Sequence, residues 1–404
     1  MGTIAVVACC DTKYHEIRYV QKRIRETGHT PLIVDISIGP NLPMQGDITR
    51  DSILSESGYD MTTVRKLNKS DAVDLMKKCI CATISRLYAE GRIDAVFGMG
   101  GLQNTVMCSA AFRLLPLGFP KVIVSTVASG FRYFDAVVGD KDIVVIPSIV
   151  DFSGMNVISE TVLNNGVAAI AGMVDHGGKI MNTDGQFIIG TTLMGITNDT
   201  VMSACNQLAA QGREVLSFHS TGVGGRVLDQ MIRDGHIKAV MDLTLHELVP
   251  EYFGNYGYCR GAENRLCAAA ESGIPMLIVP GGIDFICLRK EEFLPDEDER
   301  GHVWHNSELT HTRLYEEEVL GITKVIVERL NRAVGKVVLL LPMGGLRTLS
   351  RKGDLFYKPE TIRKMKEIFE TGLKPEIQLK CVDYNFMDPE FADIIVAEMN
   401  ALLN

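Results

Sequence analysis

The chain has 404 residues, a formal net charge of −9, 46% hydrophobic residues, 38 glycines and ten cysteines. Its length exceeds one ordinary core and predicts two domains. The acidic balance argues against nucleic acid or anionic membrane as the main partner, while leaving room for a local basic pocket. No apolar run is read as long enough to span a bilayer. The first residues enter a strand directly, without the basic region of a signal peptide, so a cytoplasmic location is expected. The cysteines are expected to be reduced thiols. None form Cys-x-x-Cys, no histidine pair has zinc-ligand spacing, and a structural zinc site is not expected.

Ile4 to Ala8 is a continuous apolar run, the pattern of a strand buried on both faces of a parallel sheet. Tyr14, Ile17, Val20 and Ile24 recur at helical spacing and Gly28 marks a stop. Leu32 to Ile36 reads as the next strand, which completes a β-α-β unit. Residues 39–70, rich in glycine, proline and polar residues, are read as a long loop. Ser70 is expected to cap an amphipathic helix through Val73, Met76, Ile80, Ile84 and Leu87. Strands follow at Asp94 to Phe97, Pro120 to Thr126 and Asp142 to Pro147, then an apolar helix through Val162, Val167 and Val174 that would also suit an interface. Residues 175–179 are read as a linker. The pattern then restarts: strands at 187–192, 214–218, 239–243, 275–279 and 337–341, helices between them, a solvated acidic loop from Glu291 to Arg300, and a closing helix from Pro389. The expected fold is α/β, with two Rossmann-like lobes (residues 1–178 and 179–404), parallel sheets and an interlobe cleft.

Four strands end in glycine pairs: Gly100-Gly101, Gly224-Gly225, Gly281-Gly282 and Gly344-Gly345. Such turns let a backbone approach a ligand, and a following helix offers free N–H donors and a positive dipole end. They also occur as plain tight turns, but four together point to phosphate or carboxylate binding. There is no Gly-x-x-x-x-Gly-Lys-Ser/Thr, and Gln103 breaks any Gly-x-Gly-x-x-Gly reading of the first turn. Asp11, Thr12 and Lys13 follow the first strand; Lys13 suits a phosphate, and Asp11 either a ligand or a helix cap. Ser125 and Thr126 end another strand. His219 precedes Thr221, Gly222, Gly224, Gly225 and Arg226, and is either an acid/base group or a hydrogen-bonded core histidine. Asp242 and Glu247 are candidate metal ligands or helix caps. Cys9 or Cys10 as a nucleophile would need a partner base.

Several of these stretches together resemble one family, the Tm-1-like ATP-binding domain proteins. They are Asp11-Thr12-Lys13, Gly98 to Gly101, Val124 to Gly130, Phe218 to Arg226, Asp242-Leu243-Thr244, Pro280 to Asp284 and Asp388 to Ala392. The resemblance implies two Rossmann-like lobes, binding of ATP or a related nucleotide, and homodimers. The extra TIM-barrel-like domain of the plant namesake has no room here, and its tobamovirus resistance is not carried over. This chain departs from the family pattern at Leu102-Gln103-Asn104, where the family has Ser-Gly-Gly, at Leu243 to Glu247, and at Tyr384, where the family has a histidine.

The expected function is therefore nucleotide binding, with ATP as ligand and Mg²⁺ beside its phosphates. Gly100, Gly101, Asn104 and Thr105 would face Thr221 to Arg226, with Gly281 and Gly282 nearby. The alternative is a transferase, hydrolase or lyase acting on a phosphorylated or carboxylated metabolite, with His219, Asp11 and Lys13 as its titratable groups.

Overall fold

The computed structural model describes residues 1–40, 42–128, 137–178 and 183–404. Residues Ser129 and Gly130 of the family resemblance, and Lys179 of the expected linker, lie outside the described residues. The chain divides into two compact units, Met1–Asn182 and Thr183–Asn404.

The first unit is one parallel sheet. Its strands are β1 (Thr3–Ala8), β2 (Thr30–Asp35), β3 (Ala95–Gly100), β4 (Lys121–Ser125) and β5 (Val144–Pro147), arranged β2-β1-β3-β4-β5. The continuous apolar run of β1 has the predicted cause. Ala5 and Val7 enter one core, while Ile4, Val6 and Ala8 enter the other, so helices cover both faces. The first core takes Met76, Ile80, Ile84 and Leu87 from the helix Lys69–Ala89. Its cap is Asn68, whose side chain accepts the Asp71 N–H, and not Ser70. The second core takes Ile17, Val20 and Ile24 from the helix Tyr14–Glu26.

Two further expectations for this unit need correction. Residues 39–70 are not one long loop. They contain the helices Arg50–Glu56 and Met61–Lys66, capped by the side chains of Thr49 and Asp60. Ile53, Leu54, Met61 and Val64 bury there, and helices too short to show a full period escaped notice. The helix Val157–His176 is, by length and composition, apolar enough to cross a bilayer. Its Leu163, Val167 and Ile170 instead share a core with Phe97, Val122 and Val124.

The second unit repeats the winding with one strand more. β6 (Ile188–Leu193), β7 (Glu214–His219), β8 (Ile237–Thr244) and β9 (Met276–Gly281) are followed, after an inserted segment, by β13 (Val337–Pro342) and β14 (Ile377–Val382). The order is β14-β13-β9-β8-β6-β7, and every pairing is parallel. The insert carries an antiparallel sheet of β10 (Phe285–Arg289), β11 (His302–Trp304) and β12 (Leu309–Arg313). The expected solvated acidic loop, residues 291–300, joins β10 to β11 and is mostly exposed or half-buried, but its end is the short helix Glu297–Arg300, of which two residues bury. Arg300 is buried and pairs with both oxygens of Glu318, while buried Glu297 accepts from the Thr312 hydroxyl. Charges that find partners can bury, so composition alone misleads there.

Both units are thus doubly wound α/β sheets of Rossmann-like type, in the variant order that places the second strand outside the first. In each, the strand order reverses between the unit's first and third strands. Ligands of open α/β sheets bind at that crevice, beyond the carboxyl ends of the strands.

Candidate functional site

In the first unit the crevice lies beyond β1 and β3. A cavity of about 400 Å³ opens there, within the usual size of small-ligand sites. The turn after β1 supplies Cys9, Asp11, Thr12 and Lys13, and the turn after β3 with the start of the next helix supplies Gly101, Leu102, Gln103 and Asn104. Lys69, exposed at the start of its helix, completes the rim. Gly101 is the N-cap of the helix Leu102–Phe112 and offers no side chain, so the first-turn N–H groups of that helix face the cavity end of the turn.

Asp11 does not cap a helix. Its Oδ2 accepts the Gly39 N–H at 3.1 Å, whereas its buried Oδ1 has no hydrogen-bond partner. A buried carboxylate oxygen left without a donor invites one, such as a ligand hydroxyl or a cation. The Lys13 ammonium donates to the Phe152 carbonyl, which holds the amine at the cavity wall. Burial and the Asp11 and Asp35 carboxylates push the Cys9 and Cys10 thiols well up, which leaves neither a ready nucleophile.

Asn104 decides the shape of the glycine turn. Its Nδ2 donates to the Met99 carbonyl at 3.1 Å, and its Oδ1 accepts from the Cys9 thiol at 2.8 Å. Gly100 has φ +140°, and a Cβ there would lie 2.2 Å from Asn104 Nδ2. A side chain of this chain therefore fills the hollow of the turn. Thr105 is equally committed: its hydroxyl donates to Gly101 O at 2.9 Å and meets Ser125 Oγ at 2.7 Å. Ser125 Oγ in turn accepts from Val127 N, and the Thr126 N–H donates to Gly100 O. These groups build the turn from within, while its open side is the Gly101 to Gln103 backbone.

The second unit treats its glycine turn differently. Gly222 is the N-cap of the helix Val223–Arg233, whose first turn holds Gly224 and Gly225, and Glu247 Oε1 accepts the N–H groups of Gly222 at 2.6 Å and Gly225 at 2.9 Å. A Cβ on Gly225 would lie 1.9 Å from Glu247 Oε2, so this close approach is open only to glycine. Glu247 Oε2, Asp242 Oδ2 and Asp229 Oδ1 converge on the buried Arg265 at 2.9, 2.5 and 3.0 Å. Asp242 Oδ1 also accepts from Thr192. The two expected metal ligands are therefore brought together around a guanidinium. Burial raises the Asp229 carboxyl to about 6.

Thr221 accepts the Arg260 N–H through its carbonyl, Arg226 donates to Gly261 O at 3.5 Å, and His219 is exposed at the end of β7. Gly281 packs on the Leu243 carbonyl, and Gly282 donates to Leu346 O while accepting from His246. Gly344 and Gly345 pack against Tyr384 and Asn385.

Sequence reasoning passed over a further group. A cavity of about 300 Å³ lies past β9 and β13, lined by Leu314, Tyr315, Leu346 and Phe356, with Asp284 and Lys358 among its walls. Asp284 Oδ1 is buried without a partner, and burial raises its carboxyl. Arg347, close enough to lower it again, stacks over Phe285 and Phe356 at 4.0 and 4.1 Å and meets His311 Nδ1 at 2.8 Å. The available signal is Asp284, two residues past the third glycine pair.

Comparison with known proteins gives two adjoining family matches. The N-terminal domain of an uncharacterised protein family (UPF0261) matches residues 2–179, and its C-terminal domain matches residues 186–403. A UPF0261 protein of Clostridium tetani is 34% identical over 405 residues, covering 99% of this chain and 98% of that protein. The tomato (Solanum lycopersicum) ToMV resistance protein Tm-1(GCR237) is 30% identical over 96% of this chain, which spans about half (54%) of the tomato protein. The tomato ToMV susceptible protein tm-1(GCR26) matches equally well, at 31%, so the likeness carries no information about resistance. Among solved structures, an S. aureus MnaA-UDP co-structure aligns over 100% of this chain and 97% of that chain, with 11% identity and a TM-score of 0.23, too distant to inform the site.

Proposed function

This chain belongs to the UPF0261 family, and from that premise we propose that its first unit binds a nucleotide, ATP with Mg²⁺, in the crevice beyond β1 and β3. The observation that carries the reading is the cavity at the strand-order reversal. Helix N-terminal N–H groups, Lys13 and Lys69 supply positive potential on its walls, and Asp11 Oδ1 lacks a donor. In this reading the phosphates lie against the Gly101 to Gln103 backbone and Lys13. Asp11 takes a phosphate-bound Mg²⁺ or a ribose hydroxyl. Asn104 narrows the turn relative to the family pattern, so the phosphates rest on its rim. A homodimer in the cytoplasm belongs to the same proposal, and light scattering tests the assembly.

Calorimetric titration with ATP, with and without Mg²⁺, tests the site. Lys13→Ala is expected to weaken binding about 10- to 100-fold, the worth of one charge-assisted contact. Arg226→Ala reports whether the second unit shares the ligand. Absence of heat at millimolar ATP sinks the proposal.

A second reading, turnover of a small phosphorylated or carboxylated metabolite, has its own support in Asp284. A perturbed carboxyl on the wall of a cavity is a candidate acid/base group. Turnover abolished by Asp284→Asn, with nucleotide binding intact, would favour it.

A further inference from the structure

His246, Cys259 and Cys287 come from three separate segments: the turn after β8, the loop before Gly261, and β10. Their ligand atoms all lie within 4.8 Å of one another, and all three residues are buried. A thiophilic ion at its usual bond lengths holds its ligand atoms roughly 3.3–3.8 Å apart, so a small inward movement of side chains suffices.

The histidine is prepared for a metal in a specific way. His246 Nδ1 lies 2.9 Å from the Gly282 carbonyl, which can only accept. Nδ1 therefore carries the proton, and Nε2 presents its lone pair. That Nε2 is buried and has no hydrogen-bond partner. A backbone carbonyl that fixes the tautomer while the other nitrogen faces the ion is the usual outer-shell arrangement of metal-bound histidine. Phe285 stacks on the fully buried ring at 4.2 Å, and Met194 and Ile196 pack in one apolar cluster with Phe285, Cys259 and Cys287.

We propose that His246, Cys259 and Cys287 form a Cys₂His site for a thiophilic closed-shell cation, Zn²⁺ or Cu⁺. Two thiolates with neutral imidazole suit both ions, and with Zn²⁺ the site is charge-neutral, which its burial favours. Binding Zn²⁺ forms two Zn–S bonds and one Zn–N bond and releases two thiol protons. Without the ion, the hydrogen bond with the Cys287 thiol and burial push the Cys259 thiol up. The site lies in the second unit and is independent of the nucleotide proposal. Widely separated ligands hid it from any reading of spacing in the chain.

The test is elemental mass spectrometry of the full chain, purified with reductant and dialysed against metal-free buffer. About one zinc or copper per chain is expected, and the element found distinguishes the two ions. After metal is stripped and Co²⁺ added, a thiolate-to-cobalt charge-transfer band is expected in the near ultraviolet. Cys287→Ser and His246→Ala should lose the bound metal, while Cys381→Ser, at an exposed cysteine, should keep it. Where a variant fails to fold, the cobalt spectrum of the unaltered protein decides alone. The proposal is overturned if the unaltered protein neither retains metal nor binds Co²⁺. Metal unchanged in both ligand variants, or a Cys259–Cys287 disulfide in protein never exposed to oxidant, would overturn it as well.

Discussion

The two units share a winding but finish their glycine turns in opposite ways. In the first, the turn after β3 opens on a cavity, and a carboxylate oxygen of Asp11 waits without a donor. In the second, the turn after the edge strand β7 is filled from within: Glu247 takes the N–H groups of Gly222 and Gly225 while Arg265 balances its charge. A helix N-terminus attracts an anion in both cases. The second unit supplies that anion from its own chain, and the first leaves the place to a ligand. A glycine turn in the sequence therefore marks an anion position without saying whose anion fills it.

The largest effect that could break this contrast is on stability. Arg265→Met leaves Asp229, Asp242 and Glu247 buried without their common cation, at a cost of about 3–5 kcal/mol, read by urea denaturation. A loss below about 1 kcal/mol would mean that the three carboxylates do not depend on Arg265 for their burial.

A matched pair comes next. Glu247→Gln is expected to cost about 2 kcal/mol through its charged hydrogen bonds and to leave ATP affinity alone. Asp11→Asn should do the reverse, changing stability little and weakening binding in Mg²⁺ about tenfold. Equal behaviour of the two variants in both assays would erase the distinction.

A smaller effect is electrostatic. Burial raises the Asp229 carboxyl to about 6, above its ordinary value near 3.8. The folded state therefore favours the protonated form. This share of stability is complete below about pH 3.8 and is lost as pH rises through about 6. Asp229→Asn should flatten the stability profile across that window. A profile parallel to that of the unaltered protein would show that Asp229 stays ionised.

The smallest effect tests the turn itself. Asn104→Gly empties the hollow above Gly100 and should tighten ATP binding a few-fold, while costing about 1 kcal/mol in helix stability. Weaker binding would instead make the Asn104 side chain part of the ligand's support.

The sequence made the parallel sheets legible because their strands are unbroken apolar runs, of which β1 and β13 are the clearest. It hid the helices at Arg50–Glu56 and Met61–Lys66, which are too short for a period, and the antiparallel insert, where Arg300 buries against Glu318 and Glu297 against Thr312. For the sites, the glycine pairs at Gly100, Gly281 and Gly344 fall at or just past strand ends, whereas Gly224 and Gly225 lie in the first turn of the helix Val223–Arg233. Nothing local revealed that Asn104 would fold back over Gly100, or that Arg265 would gather Asp242 and Glu247. Such contacts join segments distant in sequence, and they follow from the winding of the sheet.

The grip of Glu247 on the turn after β7 also orders events in time. Its two hydrogen bonds span 25 and 22 residues and can form only once β8 has taken its place beside β6. Gly222, at φ +115°, has little reason to hold that backbone beforehand. The turn is thus expected to be among the last parts of the second unit to set, and its Gly222 and Gly225 amides to exchange with solvent only when the whole sheet opens.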